Sequence, residues 1–446
     1  MSEQAKGKVL QSFLVEAAVC AAAYLCSFAA SRAGWHVLAC LLLIGLALGI
    51  YVCRFRRSKN LVDMKGLFVL AWIGGQGLAC LQLSNLQKDW SPVTWTAFFA
   101  AYLGFAAGFL RRRETGERRE LARDAVAAGR LLWCACGLAA LSWICFLIEY
   151  LAVGFIPLFS DKPHAYSYFH VSGVHYFTIS CILAPAITVL WWKVKETWRV
   201  RDLTLLAAAN VTAVAVPVLC VSRFQLLFAV GFAVVVYLLV CRKLNWKILL
   251  LLLAVLIPAY VGLTVARNHD VAYLNGIFDM KNKGTPIFIT QPYIYVANNF
   301  ENFNCLVEQI AGHTYGIRML FPVFALTGLK FLFPQLISSP IYITKPELTT
   351  LTLFYDAYYD FGLAGVILLA LALGFAARKL SGWVQKGGNP VSCLYYGQIA
   401  IYLGLSFFTT WFSNPTTWFW LALTTGMYLF VGYRKKERRD PHGGEN

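Results

Sequence analysis

The sequence predicts an all-α polytopic membrane protein, a single integral domain over residues 1–446, and three observations predict it. Hydrophobic residues make up 59% of the chain and charged residues 14%, whereas a soluble domain is nearer a quarter charged. Apolar runs of about twenty residues, the length a helix needs to cross hydrocarbon, recur from one end to the other. The gaps between them alternate between strongly basic and nearly uncharged.

About twelve spans can be marked, at 9–30, 34–53, 64–83, 92–110, 131–153, 176–192, 203–221, 224–240, 248–265, 361–377, 392–411 and 416–433. The N-terminal MSEQAKGK lacks the form of a signal peptide, so the first run reads as a retained span. With the N-terminus inside, the inner segments hold about three quarters of the 39 Lys and Arg, among them RFRRSK, RRRETGERRELARD, KVKETWRVR and the tail RKKERR. The short outer loops hold only Arg32, Lys88, Lys162 and Arg223. That bias predicts both termini in the cytoplasm. It also explains the net charge of +17 as a topological signal with attraction to anionic lipid, and no nucleic-acid partner is expected.

One gap breaks the pattern. Residues 266–360, between spans nine and ten, form a large outer loop rich in aromatics, Asn and Pro, and read as a lid. Within it, Ile317 to Ile337 is apolar but contains Arg318, Lys330, Pro322 and Pro334. Charges inside a span are costly, so this stretch is expected to form interfacial helices or a re-entrant pair rather than a thirteenth span. Of the thirteen cysteines only Cys305 falls in this loop, and no Cys/His spacing resembles a zinc site. No metal and no cofactor are expected.

The outer face carries the candidate chemistry. Arg223 stands in VSRFQLLF at a tight turn between two spans, and Arg267 opens RNHD directly after span nine. Two guanidiniums at the outer ends of neighbouring hairpins would suit a pyrophosphate, which Arg grips bidentately; snorkelling to lipid phosphate explains them equally simply. His269, Asp270, Glu347 and Asp356 are the acid/base candidates. His164, Asn299, Glu301, Arg318 and Tyr359 offer the mixed donors, acceptors and rings that suit a glycan. An aromatic belt and solvated helix faces are the plainer explanations. Asp356 and Asp360 are four apart and share a face if helical. Gly362 and Gly365 fit close helix packing.

Four strings in order carry a family resemblance: GFIPLF after span five, SRFQLL between spans seven and eight, the Arg267 that ends span nine, and YYDFGLAG leading into span ten. Together they resemble the oligosaccharide repeat-unit polymerases, the Wzy-type O-antigen and enterobacterial-common-antigen polymerases. The resemblance covers most of the chain in topology but only short strings in sequence. It implies a C-type glycosyltransferase-like fold in the bacterial inner membrane. It implies metal-independent joining of undecaprenyl-pyrophosphate-linked oligosaccharides at the periplasmic face. It carries over Arg223 and Arg267 as pyrophosphate ligands. Membrane lipid and a chain-length-regulating co-polymerase are the further partners implied. An O-antigen-type ligase using the same donor, and a lipid-linked-sugar flippase or transporter, are the alternatives. A transporter is expected to show repeated halves and ionisable residues near the bilayer midplane, whereas these apolar runs hold few mid-span charges, Glu16 and Glu149 lying nearer the ends, and the outer loop is lopsided.

Overall fold

The structure is a computed structural model that describes residues 3–110, 120–160, 165–243, 245–247, 250, 254, 271–337 and 339–432. Span nine apart from Leu250 and Ala254, the basic loop 111–119 and the basic tail lie outside the described residues. So do Arg267, His269, Asp270 and His164.

The principal helices are α1 (Glu3–Arg32), α2 (His36–Ser58), α3 (Met64–Ala79), α4 (Pro92–Gly108) and α5 (Ala125–Val153). Then come α6 (Val174–Val194), α7 (Val200–Leu219) and α8 (Arg223–Cys241). After the undescribed stretch follow α9 (Val271–Phe278), α10 (Ile287–Gln309), α11 (Tyr355–Lys386), α12 (Ser392–Gly404) and α13 (Pro415–Gly432). Among the described residues, 7 helices are long and apolar enough to cross a membrane: α1, the full α2, α5, α6, α7, α8 and α11. The chain is an all-α, multi-pass membrane protein. Large side chains such as Leu25, Leu41, Trp133, Leu151 and Leu368 stay exposed on these helices, as expected where the surroundings are lipid tails rather than water.

Local sequence sets the helix starts. Asp63 caps α3 by accepting from Gly66 N–H at 3.0 Å, and Ser91, followed by Pro92, caps α4 by accepting from Thr94 N–H at 3.1 Å. Asp124 accepts from Val126 and Ala127 N–H, both at 3.0 Å, at the start of α5.

Contacts sort the helix ends into two groups. At one end Asn60 meets Tyr396, Arg378 donates to Leu110 O, Arg130 donates to Phe430 O, and Asp124 N–H donates to Val194 O. At the other end Arg32 donates to Trp90 O, Trp90 meets Glu301, Ser84 meets Phe278 O, and Leu353 N–H donates to Ser406 O. The described basic segments fall at the first end, called here the basic end.

The tightest seam joins α4 and α11. A Cβ on Gly108 would lie 2.2 Å from Leu371 O, and one on Gly374 would lie 2.2 Å from Phe105 O, so only glycine lets these backbones touch. Inside, Trp72 packs against Phe98, Phe300 and Phe354 with ring centroids 4.9–5.5 Å apart, tying α3, α4, α10 and the entry to α11 into one core.

Ile317 to Ile337 forms no spanning helix. It breaks into Phe321–Leu326, Leu329–Leu332 and a 3-10 turn, Pro334–Ile337. Pro322 and Pro334 sit at starts of these pieces, where a missing N–H costs nothing. In contrast, α10 runs through the interior despite its polar composition, with every residue from Ala297 to Asn304 buried.

Candidate functional site

The first turns of α11 organise the site. Gly362 has φ 60, a conformation that favours glycine, and kinks the helix there. A Cβ at this position would also stand 3.2 Å from His313 Nε2. The turn preceding the kink carries Asp356 and Asp360 on one face, as their spacing predicts. Asp360 is fully buried. Its carboxylate accepts from the Thr314 hydroxyl and from the N–H groups of Arg318 at 3.2 Å and Met319 at 2.8 Å. Its carbonyl accepts from Tyr315 N–H at 3.1 Å, and His313 Nδ1 lies 3.1 Å from Tyr359 O. The loop 313–319 is thereby sewn onto the helix start.

That stitching delivers Arg318. Its Nε donates to Asp356 Oδ1 at 2.6 Å, and its guanidinium lies 4.6 Å from the centroid of the Tyr359 ring. Arg318 presents five N–H donors in a fork. Only Nε has a hydrogen-bond partner among the described residues. Arg318 and Asp356 line a cavity of about 430 Å³. Thr410, Ser413 and Asn414, between α12 and α13, and Pro415 at the start of α13 also line it, with the apolar Ile317, Phe321 and Ile341. A cation with unspent donors, a carboxylate, hydroxyls and an amide around one space suit an anionic, hydroxyl-rich ligand.

Arg223, the first residue of α8, is buried. Its neighbour Phe224 stacks on Phe408 at 5.2 Å and approaches Trp411 at 5.9 Å, in the connection that supplies the cavity wall. Val221, two residues before Arg223, has φ 52. For a β-branched residue this is strained backbone, of the kind concentrated at functional turns.

The predicted residues therefore separate. Arg318, Asp356 and Tyr359 come together. Glu347 is exposed and pairs with no described residue. Asn299 and Glu301 face the interior: Asn299 donates to Tyr295 O and Phe407 O and accepts from Thr350, while Glu301 accepts from Trp90 Nε1 at 3.0 Å. Burial pushes the Glu301 carboxyl up to about 7. Arg267, His269, Asp270 and His164 fall outside the described residues.

Sequence reasoning missed two features. One is the polar wall 410–415, whose signal was a Ser-Asn-Pro string between two apolar runs. The other is a buried dyad at the same end of the molecule. Glu149, fully buried near the end of α5, receives His175 Nδ1 at 3.0 and 3.1 Å and Val171 N–H at 2.9 Å. A carboxylate at Nδ1 orients the ring and leaves Nε2 as the proton acceptor. Nε2 has no hydrogen-bond partner among the described residues. Tyr176 and Phe177 pack on Phe419, one turn from Pro415 in the cavity wall.

Fold and site together define a class: an all-α, multi-pass membrane protein with an ion-paired cavity at the end opposite its basic segments. No protein-family model, no curated protein and no solved structure matches the chain.

Proposed function

We propose that the chain is a glycosyltransferase that polymerises undecaprenyl-pyrophosphate-linked oligosaccharide repeat units at the periplasmic face of the bacterial inner membrane. In this reading it has twelve spans in a C-type architecture, and the basic end faces the cytoplasm. The cavity at the opposite end, with Arg318 held by Asp356, is the observation that supports it most.

The reaction forms a glycosidic C–O bond to an acceptor hydroxyl. It breaks the C–O bond to the donor's pyrophosphate, which leaves on its lipid. The unspent N–H donors of Arg318 suit the charge that grows on the departing pyrophosphate. Asp356 is a positioning residue that fixes the Arg318 fork. The acceptor's proton goes to His175 Nε2, oriented by Glu149. Arg223 steadies the donor from the neighbouring turn. Here the pyrophosphate cation assigned from sequence to Arg267 passes to Arg318, a residue first read as a glycan ligand.

The test is chain extension by the purified full-length protein with purified lipid-linked repeat units in EDTA. A ladder of products supports the proposal. Transfer of one preformed glycan to a different lipid acceptor, without a ladder, replaces it with the ligase reading. No release of undecaprenyl pyrophosphate removes both.

A further inference from the structure

The seam between α12 and α13 buries more polar groups than it pairs. Gln398 and Tyr402 lie four apart on α12, and Trp420 and Thr424 lie four apart on α13, so each pair shares a helix face. The two faces meet. Gln398 Nε2 donates to Thr424 Oγ1 at 2.9 Å. The Tyr402 and Trp420 rings both pack on Phe228 of α8, with centroids 6.0 and 5.0 Å from it. Gln398 and Tyr402 are 0% exposed and Trp420 is 3% exposed. Even so, Gln398 Oε1, the Tyr402 hydroxyl and Trp420 Nε1 have no hydrogen-bond partner among the described residues. Thr417, one turn before Trp420, bears on the Tyr402 hydroxyl without reaching hydrogen-bond geometry.

These atoms are gathered, not scattered. Of the twelve buried side-chain atoms left unpaired in the described residues, five belong to this seam or its outer end. The other two are Ser406 Oγ, four residues beyond Tyr402, and Thr352 Oγ1, whose neighbour Leu353 donates its N–H to Ser406 O at 2.8 Å. Unpaired polar groups are costly inside a membrane protein, where bulk solvent does not reach them. Several at one seam call for a shared partner. The three central atoms define its chemistry. Trp420 Nε1 only donates, Gln398 Oε1 only accepts, and the Tyr402 hydroxyl does either. Turning the Gln398 amide over would exchange an unpaired acceptor for unpaired donors. A cation would want several oxygens and an anion several donors. Water gives and accepts at one point, and buried waters sit on about two to four such groups.

We infer that the α12–α13 seam binds ordered water, held by Gln398, Tyr402 and Trp420. The water is a joint between the two helices whose connection, from Thr410 to Pro415, lines the candidate cavity. A bridging water does this nearly as well as a direct hydrogen bond.

X-ray hydroxyl-radical footprinting of the purified full-length protein in nanodiscs tests this, because radicals formed from bound water modify the side chains that touch it. Trp72 is the control: it is 0% exposed, but its Nε1 donates to Phe98 O at 3.1 Å. Tyr402 and Trp420 should be modified and Trp72 spared. Gln398→Leu, which removes the amide and keeps the volume, should abolish modification at both. Trp420→Phe, read at Tyr402, should have the same effect, so the proposal stays testable if the Gln398 variant does not fold. Modification of Tyr402 and Trp420 no greater than that of Trp72, or unchanged modification in either folded variant, would overturn the assignment.

Discussion

Two ion-paired clusters sit at opposite ends of this bundle and use their charges differently. At the basic end, Lys65 pairs with Glu16, which also accepts from Tyr102 at 2.5 Å, and Arg54 grips Asp63 bidentately at 2.9 and 3.1 Å. Asp63 spends its remaining capacity capping α3. At the other end Arg318 meets Asp356 through a single nitrogen and keeps its other donors beside a cavity. The first cluster is closed by helices α1 to α4 and serves cohesion. The second is held from behind, by Asp360 and Tyr359, and left open in front. Charge in a membrane protein is thus not a functional signal by itself. What separates the two cases is whether the hydrogen-bonding capacity is used up.

The comparison breaks most visibly at Arg318. Arg318→Ala should cut chain extension by about 10³-fold. Arg318→Lys should be nearly as damaging, since Lys lacks the fork. Arg318→Lys keeps a cation beside the buried Asp356 carboxylate, so its thermal stability in detergent should change little. A large loss of melting temperature with Arg318→Lys would make this pair cohesive like its counterpart. The reverse pattern is expected at Lys65. Lys65→Met leaves Glu16 without its cation and should cost about 3 kcal/mol of stability, read as lower melting temperature and yield. Adding Glu16→Leu should recover most of it. An unaltered melting temperature in Lys65→Met would show that this cluster carries no cohesion.

Glu301 sharpens the same distinction through pH. Its folded carboxyl is raised to about 7 by burial, above its unfolded value. The proton is therefore held more tightly in the folded state. The stabilisation is complete below pH 4.5 and is lost as pH rises through about 7, by at most about 3 kcal/mol. Glu301→Gln should flatten the melting temperature across that window, and an unchanged pH slope would contradict the assignment. His175→Gln carries the smallest free-energy effect of the four. It should slow extension by about 10²-fold while donor binding, measured by lipid-donor titration, stays intact. Lost donor binding would make the dyad a structural tie.

Hydropathy and basic alternation made the membrane class legible, because each span declares itself over about twenty consecutive residues. The polar interior was not legible. The string YIYVANNFENFNCL looks solvated, yet Asn302 donates to Leu348 O and Thr350 O, and Thr344 donates to Asn298. Those partners come from irregular chain more than forty residues away, so no local pattern reveals them. Arg318 and Asp356 were legible as charges with chemistry to offer. Their pairing was not, because it depends on Asp360 fastening a loop. Glu149 and His175 were missed as a pair for a related reason: a carboxylate near a span's end shows no partner until the fold places one beside it.

The glycine seam between α4 and α11 restricts how the molecule can move. Two helices whose backbones interlock at Gly108 and Gly374 cannot slide or rock past one another without separating. The candidate cavity opens at the start of the same α11, roughly 25 Å along the helix from that seam. Ligand entry is therefore expected through the open front of the cavity and not from a change in bundle shape. A single methyl group added at Gly374 would act at long range. It would shift the pivot on which Asp356 and Asp360 are mounted, and misalign a site it never touches.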